Sequence, residues 1–597
     1  MKKAILVTVV LTTLLGLFAS ACGTPAPAPP PAEDTPAPTS PPAEDTPVAP
    51  APTAAPEPTP EPEKTSIVVL IQTEPTGFNG IVSDTGQEQF LMEFVMLGLT
   101  DLDPYGNIFP ELAAELPTVE NGAVVIDEDA WTMDVTWTMR DDVYWADGEP
   151  VTANDLVFTW NAIADPETGI WAEGIDYTDS IELIDDYTFV VHYNGVYPNY
   201  QMQFGGENFG VWPAHYCDAD QGFVTWDCNR APLSSGPFIL EEWVTDSHLT
   251  FVANPNYFEE GKPLIDEIIV QIVPDYSVMK TMVLEGDADY QFWTTAGQLE
   301  ELESASDVRL DWAPTGRWVQ RLIPNLAAKG TTDPVANPHP ILNDKRVRQA
   351  IRMAVDVDTI VEEVYGGVPT PVWTEFFREP YVCEVPRPEY DPAGAAALLE
   401  EAGWTDEDGD GVRECHGCPN AEEGYRMSME FNSVAGYGEA EELGQQLIGE
   451  MLGDIGIELQ LNKVESAVLW ADYGSGGVEQ SGDFDLDFWG DGYGGRDPTD
   501  HIWYYYHSWA AEPDYGWNVA RWMNEDADAL IDSTYWLDEE YRKEQFCSLA
   551  TLMDDELPNI WLWTMAYPAA VSERLQGTQS SVTDQHSWNA ADWYVVE

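Results

Sequence analysis

Three aspartates spaced two residues apart form the pattern with the best-defined chemistry in this chain. Asp406, Asp408 and Asp410 are followed by Gly411, which matches ligand positions one, three and five and the glycine at position six of an EF-hand calcium loop. Position twelve, where such a loop supplies a bidentate glutamate, is Gly417. The pattern therefore predicts a weak surface calcium site, and an acidic turn without a metal is the alternative.

The N-terminal segment surrounds Cys22 with the features of a lipidation site. Two lysines precede an apolar run at residues 4–18 and the small residues 19–21, which is the order of a secretory signal. A cysteine directly after the cleavage point resembles the lipobox of bacterial lipoproteins, although Ala19 stands where that motif usually has leucine. We expect residues 1–21 to be a lipoprotein signal peptide and Cys22 to carry the lipid. An ordinary signal peptide and an N-terminal membrane helix are the alternatives.

Six further cysteines lie in the rest of the chain, and an even count in an exported protein is typical of disulfides. Cys217 and Cys228 flank one acidic, aromatic loop and are predicted to form a local pair. Cys415 and Cys418 are separated by His-Gly and could instead form half of a zinc site or a redox pair. A structural zinc site needs a second such pair or two histidines, so we expect a disulfide here, with Cys383 as a candidate partner.

The segment from residue 22 to residue 64 is dominated by Pro, Ala, Glu and Thr, and the run PAEDTP occurs in it at 31–36 and at 42–47. This composition cannot bury a core and favours an extended, semi-rigid spacer. The rest of the chain, to residue 597, is too long for one simple core and predicts two or three lobes.

The net charge of −81 makes nucleic acid and anionic lipid surfaces poor partners. The acidic residues are dispersed along the chain, which favours a solvated acidic surface over a concentrated cation site.

The periodicity of apolar residues predicts a mixture of strands and helices. Residues 66–71 form a short β-branched run and 131–139 alternate between apolar and polar, as strands do. A helix is predicted over 87–97. Asp344 and Asp358 are each placed to cap a helix in the second half of the chain. Helices that feed strands in this way indicate an α/β protein.

Several runs resemble, in the same order, segments of the family 5 extracellular solute-binding proteins, which are the peptide and nickel binders of ABC importers. The most specific is WTMRDDVYWADGEPVTANDL at 137–156, which is similar to the family pattern W.F.LR..V.F.DG.P.TA.DV. The other runs are at 96–113, 235–243, 254–257, 284–289, 343–351 and 402–411.

The resemblance implies an α/β, two-lobed periplasmic-binding-protein-like fold of type II, with an extra β-rich subdomain, a hinge and a ligand cleft between the lobes. By this analogy, lobe I consists of residues 65–99, 230–294 and 565–597. The β-rich insertion consists of residues 100–229, and lobe II of residues 295–564.

The resemblance also implies a ligand site around the run DLDFWGDGY at 485–493, which is similar to the family segment whose tryptophan and aspartate line the cleft. In peptide-binding members that aspartate pairs with the α-ammonium of the ligand, and Asp491 takes this role here. A buried carboxylate needs such a cationic partner. Core packing is the alternative for each aromatic candidate. The predicted ligand-binding residues are Asp491, Trp489, Tyr493, Trp470, Trp293 and Phe78.

Together these features predict a lipid-anchored, extracytoplasmic and monomeric subunit that captures oligopeptides and delivers them to the membrane permease of an ABC importer. We expect it to need no cofactor and to perform no catalysis. An oligosaccharide ligand is the alternative within the family, because an aromatic, acidic cleft also suits sugars. A secreted glycosidase or peptidase is the alternative of another class. It gains little support, because the chain lacks the GxSxG, HExxH and P-loop motifs.

Overall fold

The computed structural model describes residues 64–596 except 84, 166–171, 173, 207–208, 219, 566 and 583–585. The predicted signal peptide, Cys22 and the spacer up to residue 63 lie outside the described residues. Within the described part, no helix combines the length and the apolar character that a membrane crossing requires.

The chain enters lobe I through a fully apolar strand and then forms the insertion. The first elements are β1 (Ser66–Ile71), α1 (Gly86–Val95), β2 (Thr100–Leu102) and β3 (Ile108–Pro110). The insertion continues with β4 (Val124–Asp127), β5 (Thr132–Thr138), α2 (Ala153–Ile163), β6 (Thr178–Asp185) and β7 (Thr188–Tyr193). Met133, Val135 and Trp137 of β5 are buried and alternate with more exposed residues, as the predicted strand requires. The insertion sheet has the order β4-β5-β7-β6.

The chain then returns to lobe I. It adds β8 (Phe238–Val244), β9 (His248–Ala253), β10 (Glu267–Ile272), α3 (Tyr276–Glu285), β11 (Tyr290–Gln291), α4 (Ala296–Glu303) and β12 (Val308–Asp311). In the sheet, β1 lies between β10 and β11 and is parallel to both. This central position explains why the strand reads as one β-branched run rather than as an alternating one.

Lobe II follows as a second α/β unit. Its first elements are β13 (Trp318–Pro324), α5 (Lys345–Ala354), α6 (Val357–Tyr365), β14 (Thr370–Pro371), α7 (Pro392–Glu401), β15 (Trp404–Thr405), β16 (Glu414–Cys415) and β17 (Ser428–Val434). It continues with α8 (Glu439–Gly453), β18 (Glu458–Val464), α9 (Ser466–Leu469), α10 (Val478–Ser481), β19 (Leu486–Asp491), α11 (Thr499–Tyr506), α12 (Glu525–Ser533), α13 (Glu539–Glu556) and β20 (Ile560–Met565). The sheet order is β14-β20-β13-β19-β17-β18.

The last strands lead the chain back to lobe I. They are β21 (Ala569–Ser572), β22 (Leu575–Gln576) and β23 (Tyr594–Val595). The lobe I sheet is thereby completed to seven strands in the order β12-β21-β11-β1-β10-β9-β8.

The boundary between the lobes differs from the expected one. We expected lobe II to begin at residue 295, but β12 pairs with β21 through Arg309 and Val571. Because β12 belongs to the lobe I sheet, lobe II begins with β13, and the first crossover between the lobes is the segment 312–317. The chain returns to lobe I between the end of β20 at Met565 and the start of β21 at Ala569, which we call the return crossover. We use lobe II below for residues 318–565.

Two helix caps show how the local sequence fixes element ends. The Asp344 carboxylate accepts a hydrogen bond from the backbone N–H of Arg346 at 3.0 Å, which confirms the predicted cap of α5. The prediction for α6 is wrong, because Asp356 and not Asp358 caps this helix by accepting from the N–H of Thr359. Asp358 lies within the first helical turn, where an acidic side chain still favours the helix dipole.

Three disulfides join the six cysteines that the structure describes. Cys217 pairs with Cys228, as predicted, and Cys415 pairs with Cys418. The expected link from this second pair to Cys383 is wrong, because Cys383 is bonded to Cys547 of α13.

Candidate functional site

The candidate site lies at the end of β19, where Asp491 is the last residue of the strand. Its side chain keeps 15 % of its surface exposed. One carboxylate oxygen accepts a hydrogen bond from the backbone N–H of Gly492 at 2.8 Å. The other lies 3.8 Å from Nη2 of Arg321. Asp491 is therefore held in place, and part of its side chain remains exposed.

Arg321 of β13 is the charged centre behind this site. Its side chain is fully buried, and Nη1 donates a hydrogen bond to Glu375 at 2.7 Å. The guanidinium lies 5.1 Å from the ring of Trp489 and 5.0 Å from the ring of Tyr505, within the range of cation–π attraction. Glu375 is completely buried, so of the two carboxylates around Arg321 it is Asp491 that a ligand can reach.

Half-buried aromatic residues extend from Asp491 along lobe II. The ring of Trp470 meets that of Trp489 edge to face at 5.5 Å, and Tyr437 follows at 6.2 Å from Trp470. Tyr437 is 52 % exposed. On the other side of Asp491, burial raises the pKa of Tyr504, and the carboxylate of Asp491 adds to the rise. These side chains form an aromatic surface beside the carboxylate of Asp491.

The lobe I side contributes Trp293, and the return crossover contributes Tyr567. Their ring centroids are 6.3 Å apart, and Trp293 also stacks on Phe292 at 4.7 Å. Both residues line a small cavity at the two crossovers. Its other lining residues include Arg317, Trp318, Met565 and His586. Trp293 is therefore placed where the lobes meet, and its contact with a ligand stays a prediction.

Trp489 supports the site from behind and does not line it. It is 4 % exposed, and its indole N–H donates to Glu479 at 2.6 Å, while the indole N–H of Trp517 donates to the other oxygen of Glu479 at 2.8 Å. Burial raises the pKa of Glu479 to about 7. Burial and the nearby Glu479 also raise the pKa of Asp487. For Trp489, core packing is thus the arrangement that the structure shows.

Tyr493 is also buried, at 4 % exposure. The guanidinium of Arg378 lies over its ring at 3.9 Å and donates a hydrogen bond to its backbone carbonyl. The residue lies in the loop that follows β19 and packs against Arg378 and His501. It lies close to the site without facing into the cleft.

The structure does not bring Phe78 to the site. Its side chain is fully buried in the core of lobe I, edge to face with Trp243 at 5.7 Å and with Phe251 at 6.0 Å. The apolar ring follows a turn and completes the packing between two strands, so the expectation of a ligand contact from this residue is corrected.

The predicted calcium loop is arranged differently from the EF-hand pattern. Ligand atoms of Asp406 and Asp408 lie within 4.8 Å of one another and of Glu414. Asp410 instead forms an ion pair with Arg426 at 2.6 Å. The third carboxylate of the group is therefore Glu414, and the expected ligand Asp410 is neutralised by an arginine.

Sequence reasoning missed several residues of the site. One signal was present for Arg321, since a charged residue in the mostly apolar run WVQRLIP of β13 must find a buried partner. No local signal distinguishes Tyr437, Tyr504 and Tyr567 from the chain's many other tyrosines.

The sequence is similar to those of known binding proteins. The oligopeptide-binding protein AppA of Bacillus subtilis (strain 168) is 25% identical over 415 residues, which are 66% of this chain and 68% of AppA. The nickel-binding periplasmic protein of Escherichia coli (strain K12) is 25% identical over 340 residues, which are 56% of this chain and 60% of that protein. The shared length thus spans about three fifths to two thirds of these relatives.

The fold is shared with solved structures over 89% of the chain. The structure of AppA from Bacillus subtilis in complex with a nonapeptide matches with a TM-score of 0.69 and 22% identity and is covered completely, at 100%. The model for bacterial extracellular solute-binding proteins, family 5 Middle, matches residues 107–513. This match covers more than half of the chain, and the chain therefore belongs to the family 5 extracellular solute-binding proteins.

Proposed function

We propose that this protein is the lipid-anchored substrate-binding subunit of an ABC importer and that it captures oligopeptides between its two lobes. The observation that carries the proposal is the position of Asp491. Its carboxylate is the reachable anion on an aromatic surface, since Glu375 behind it is fully buried.

The chemistry of the site favours a peptide with a free amino terminus. An α-ammonium would give the carboxylate of Asp491 a charge-assisted hydrogen bond in a partly desolvated place, where such bonds are strongest. Trp470, Tyr437 and Tyr504 offer apolar faces with polar edges, which accept varied side chains without fixing their identity. AppA, which shares the fold, has been solved with a nonapeptide, and this supports the same ligand class.

The anchor and the spacer would keep the receptor beside its permease. Cys22 is the proposed lipid attachment point, and the proline-rich segment 22–64 would hold the folded part on the order of 100 Å from the membrane at most. A ligand captured by a tethered receptor stays near the importer, so the tether raises the effective concentration that the permease meets.

The experiment that tests this function identifies the ligand directly. The full chain is purified without denaturation and analysed by native mass spectrometry. It is then stripped and tested by thermal shift against a peptide library, glycan fragments and nickel with histidine. Retained peptides and peptide-specific shifts support the proposal. Thermal shifts only with glycans, or only with nickel and histidine, would mean that the ligand is not a peptide. Turnover of peptides or glycans would refute the binding-protein function.

A further inference from the structure

Lobe I and the insertion form one body, whereas lobe II has cores of its own. Val69 of β1 and Trp137 of the insertion belong to the same continuous cluster of buried apolar residues. The main clusters of lobe II are separate from it. Among the lobe II residues that the structure describes, the segment 535–537 packs against the cluster shared by lobe I and the insertion. This segment follows α12 and lies outside the ligand site.

A stack of tyrosines accompanies this contact. Within the insertion, Tyr197 stacks between Tyr193 at 5.7 Å and Tyr177 at 5.1 Å. Tyr177 then stacks on Tyr535 of lobe II at 5.1 Å, with the ring planes 22° apart. The row of rings therefore continues from one body into the other without a break.

One carboxylate accepts hydrogen bonds from two tyrosines of this stack, one on each body. Asp500 of α11 accepts a hydrogen bond from the hydroxyl of Tyr197 at 2.7 Å and another from the hydroxyl of Tyr535 at 3.1 Å. The first bond crosses from the insertion to lobe II, and the second stays within lobe II. Asp500 therefore receives neutral hydroxyl donors from both bodies. These hydrogen bonds offset the cost of burying its carboxylate.

A second stacked pair crosses the same interface. Trp131 of the insertion lies parallel to Trp536 of lobe II, with the centroids 5.6 Å apart and the planes 13° apart. The backbone of Trp131 has a φ of 55°, a left-handed conformation that is unfavourable for a bulky residue. Such conformations persist where the surrounding structure requires them, and here the conformation presents the indole to Trp536.

The connections between lobe I and lobe II determine how this interface responds to a hinge motion. Lobe II is joined to lobe I by the crossover 312–317 and by the return crossover between β20 and β21, while the insertion is fixed to lobe I by the shared core. A hinge motion at the crossovers that opens the ligand cleft also moves Tyr535 and Trp536 away from the insertion. Opening therefore breaks the hydrogen bond from Tyr197 to Asp500 and both crossing stacks together.

We propose that the contact of Trp131, Tyr177 and Tyr197 with Asp500, Tyr535 and Trp536 is a closure latch. It stabilises the closed arrangement of the lobes from outside the ligand cleft and so sets how much of the binding energy is needed for closure. The proposal rests on the function proposed above, because a role in ligand capture gives closure its meaning. The latch determines affinity without touching the ligand, and its strength is independent of ligand class.

The test measures closure without any ligand. The full chain is stripped of co-purified ligand under denaturant and refolded, and spin labels are attached through non-natural amino acids at Tyr105 and Tyr541. These positions are 65 % and 42 % exposed and lie on the two bodies. The distances between the labels then report the populations of open and closed protein.

Tyr197→Phe removes the crossing hydroxyl and keeps the stacked ring. A hydrogen bond to a charged group supports an expected fall of about tenfold in the ratio of closed to open protein. Trp536→Ala tests the second stack independently, with an expected fall of about fivefold. Tyr193→Phe is the matched control, because its hydroxyl donates to Gln203 within the insertion and its loss leaves the crossing contacts intact.

The outcomes separate the latch from simple destabilisation. Shifts towards the open distance in Tyr197→Phe and Trp536→Ala, with none in Tyr193→Phe, support the proposal. Equal shifts in all three variants, unchanged distances in the first two, or a wild-type protein found only in the open form would overturn it. Circular dichroism confirms that each variant is folded. Because no ligand is used, a failure of the oligopeptide proposal in its own experiment does not change this result.

Discussion

Replacing Asp491 by asparagine tests the recognition of a peptide amino terminus most directly. The amide has nearly the same shape as the carboxylate, so the hydrogen bond from the N–H of Gly492 remains. Arg321 keeps its 2.7 Å pair with the buried Glu375 and is not left unpaired. The substitution therefore removes a charge from the ligand site and leaves the surrounding structure in place.

The size of the effect follows from the position of the carboxylate. With 15 % of its side chain exposed, Asp491 is largely but not fully desolvated, which places its bond to an ammonium in the range of about 1.5 to 3 kcal/mol. This corresponds to a loss of affinity of about 10- to 150-fold. The contact of Asp491 with Arg321 at 3.8 Å is longer than a hydrogen bond, so its loss should lower the free energy of unfolding by only about 1 kcal/mol.

The assay is a cycle of two proteins and two ligands. The tightest peptide from the library is compared with its N-acetylated form by isothermal titration calorimetry, on the wild type and on Asp491→Asn. Acetylation of the peptide should weaken its binding to the wild type by about 10- to 150-fold. It should leave binding to the variant nearly unchanged, because the ammonium and the carboxylate act as one pair.

Asp497→Asn provides the control, since Asp497 pairs with Arg542 at 2.5 Å. This variant should lose stability and still discriminate against the acetylated peptide. If Asp491→Asn discriminates as strongly as the wild type, then the ammonium binds elsewhere and the assignment of Asp491 is wrong.

Three further predictions concern buried groups. Burial raises the pKa of Glu441 from 4.5 to about 7, so the folded protein binds the proton more tightly than the unfolded chain and stability should fall as pH rises from about 4.5 to 7. Glu441→Gln should make the free energy of unfolding depend less on pH and should raise it at pH 8 by about 1 to 3 kcal/mol, as measured in urea titrations. An unchanged pH dependence would show that Glu441 is not the group responsible. Glu479→Leu should cost about 2 to 4 kcal/mol by leaving two indole N–H groups without an acceptor, with altered near-ultraviolet circular dichroism of tryptophan; full stability would show that these bonds are replaced. The Cys383–Cys547 disulfide spans 164 residues. Replacing both cysteines with serine should lower the free energy of unfolding by about 5 kcal/mol in the same titrations. Peptide mapping that finds another pairing would show that this disulfide is wrongly assigned.

The two-lobed fold could be predicted from the order of motifs, but one boundary could not. The segment 296–311 reads as a helix and a strand whichever lobe it joins. Its membership is decided by the pairing of Arg309 with Val571, far along the chain, and local sequence carries no information about that partner. The cap of α6 was missed for a smaller reason. Asp356 and Asp358 are both suitable caps, and the backbone conformation of residue 356 decides between them.

The resemblance of the run at 485–493 predicts where the site lies, but the sequence does not decide which aromatic residues line it. Aromatic residues serve equally well as ligand walls and as core, because both roles use the same apolar surface. Trp293 lies half-buried at the crossovers and Trp470 lies half-buried in lobe II. Trp489 and Tyr493 are buried, and Phe78 belongs to the core of lobe I. The difference is burial, which depends on the packing of whole elements.

The position of the site connects binding with closure. Asp491 ends a strand of lobe II, Trp293 follows a strand of lobe I, and Tyr567 lies on a crossover between them. A ligand that contacts all three can do so only in one arrangement of the lobes, and in that arrangement the stack around Asp500 is also formed. Affinity is then the sum of ligand contacts and of contacts between the lobes. Because a substrate-binding protein must also release its ligand, contacts that a second protein can break from outside the cleft offer a way to open it without competing for the ligand.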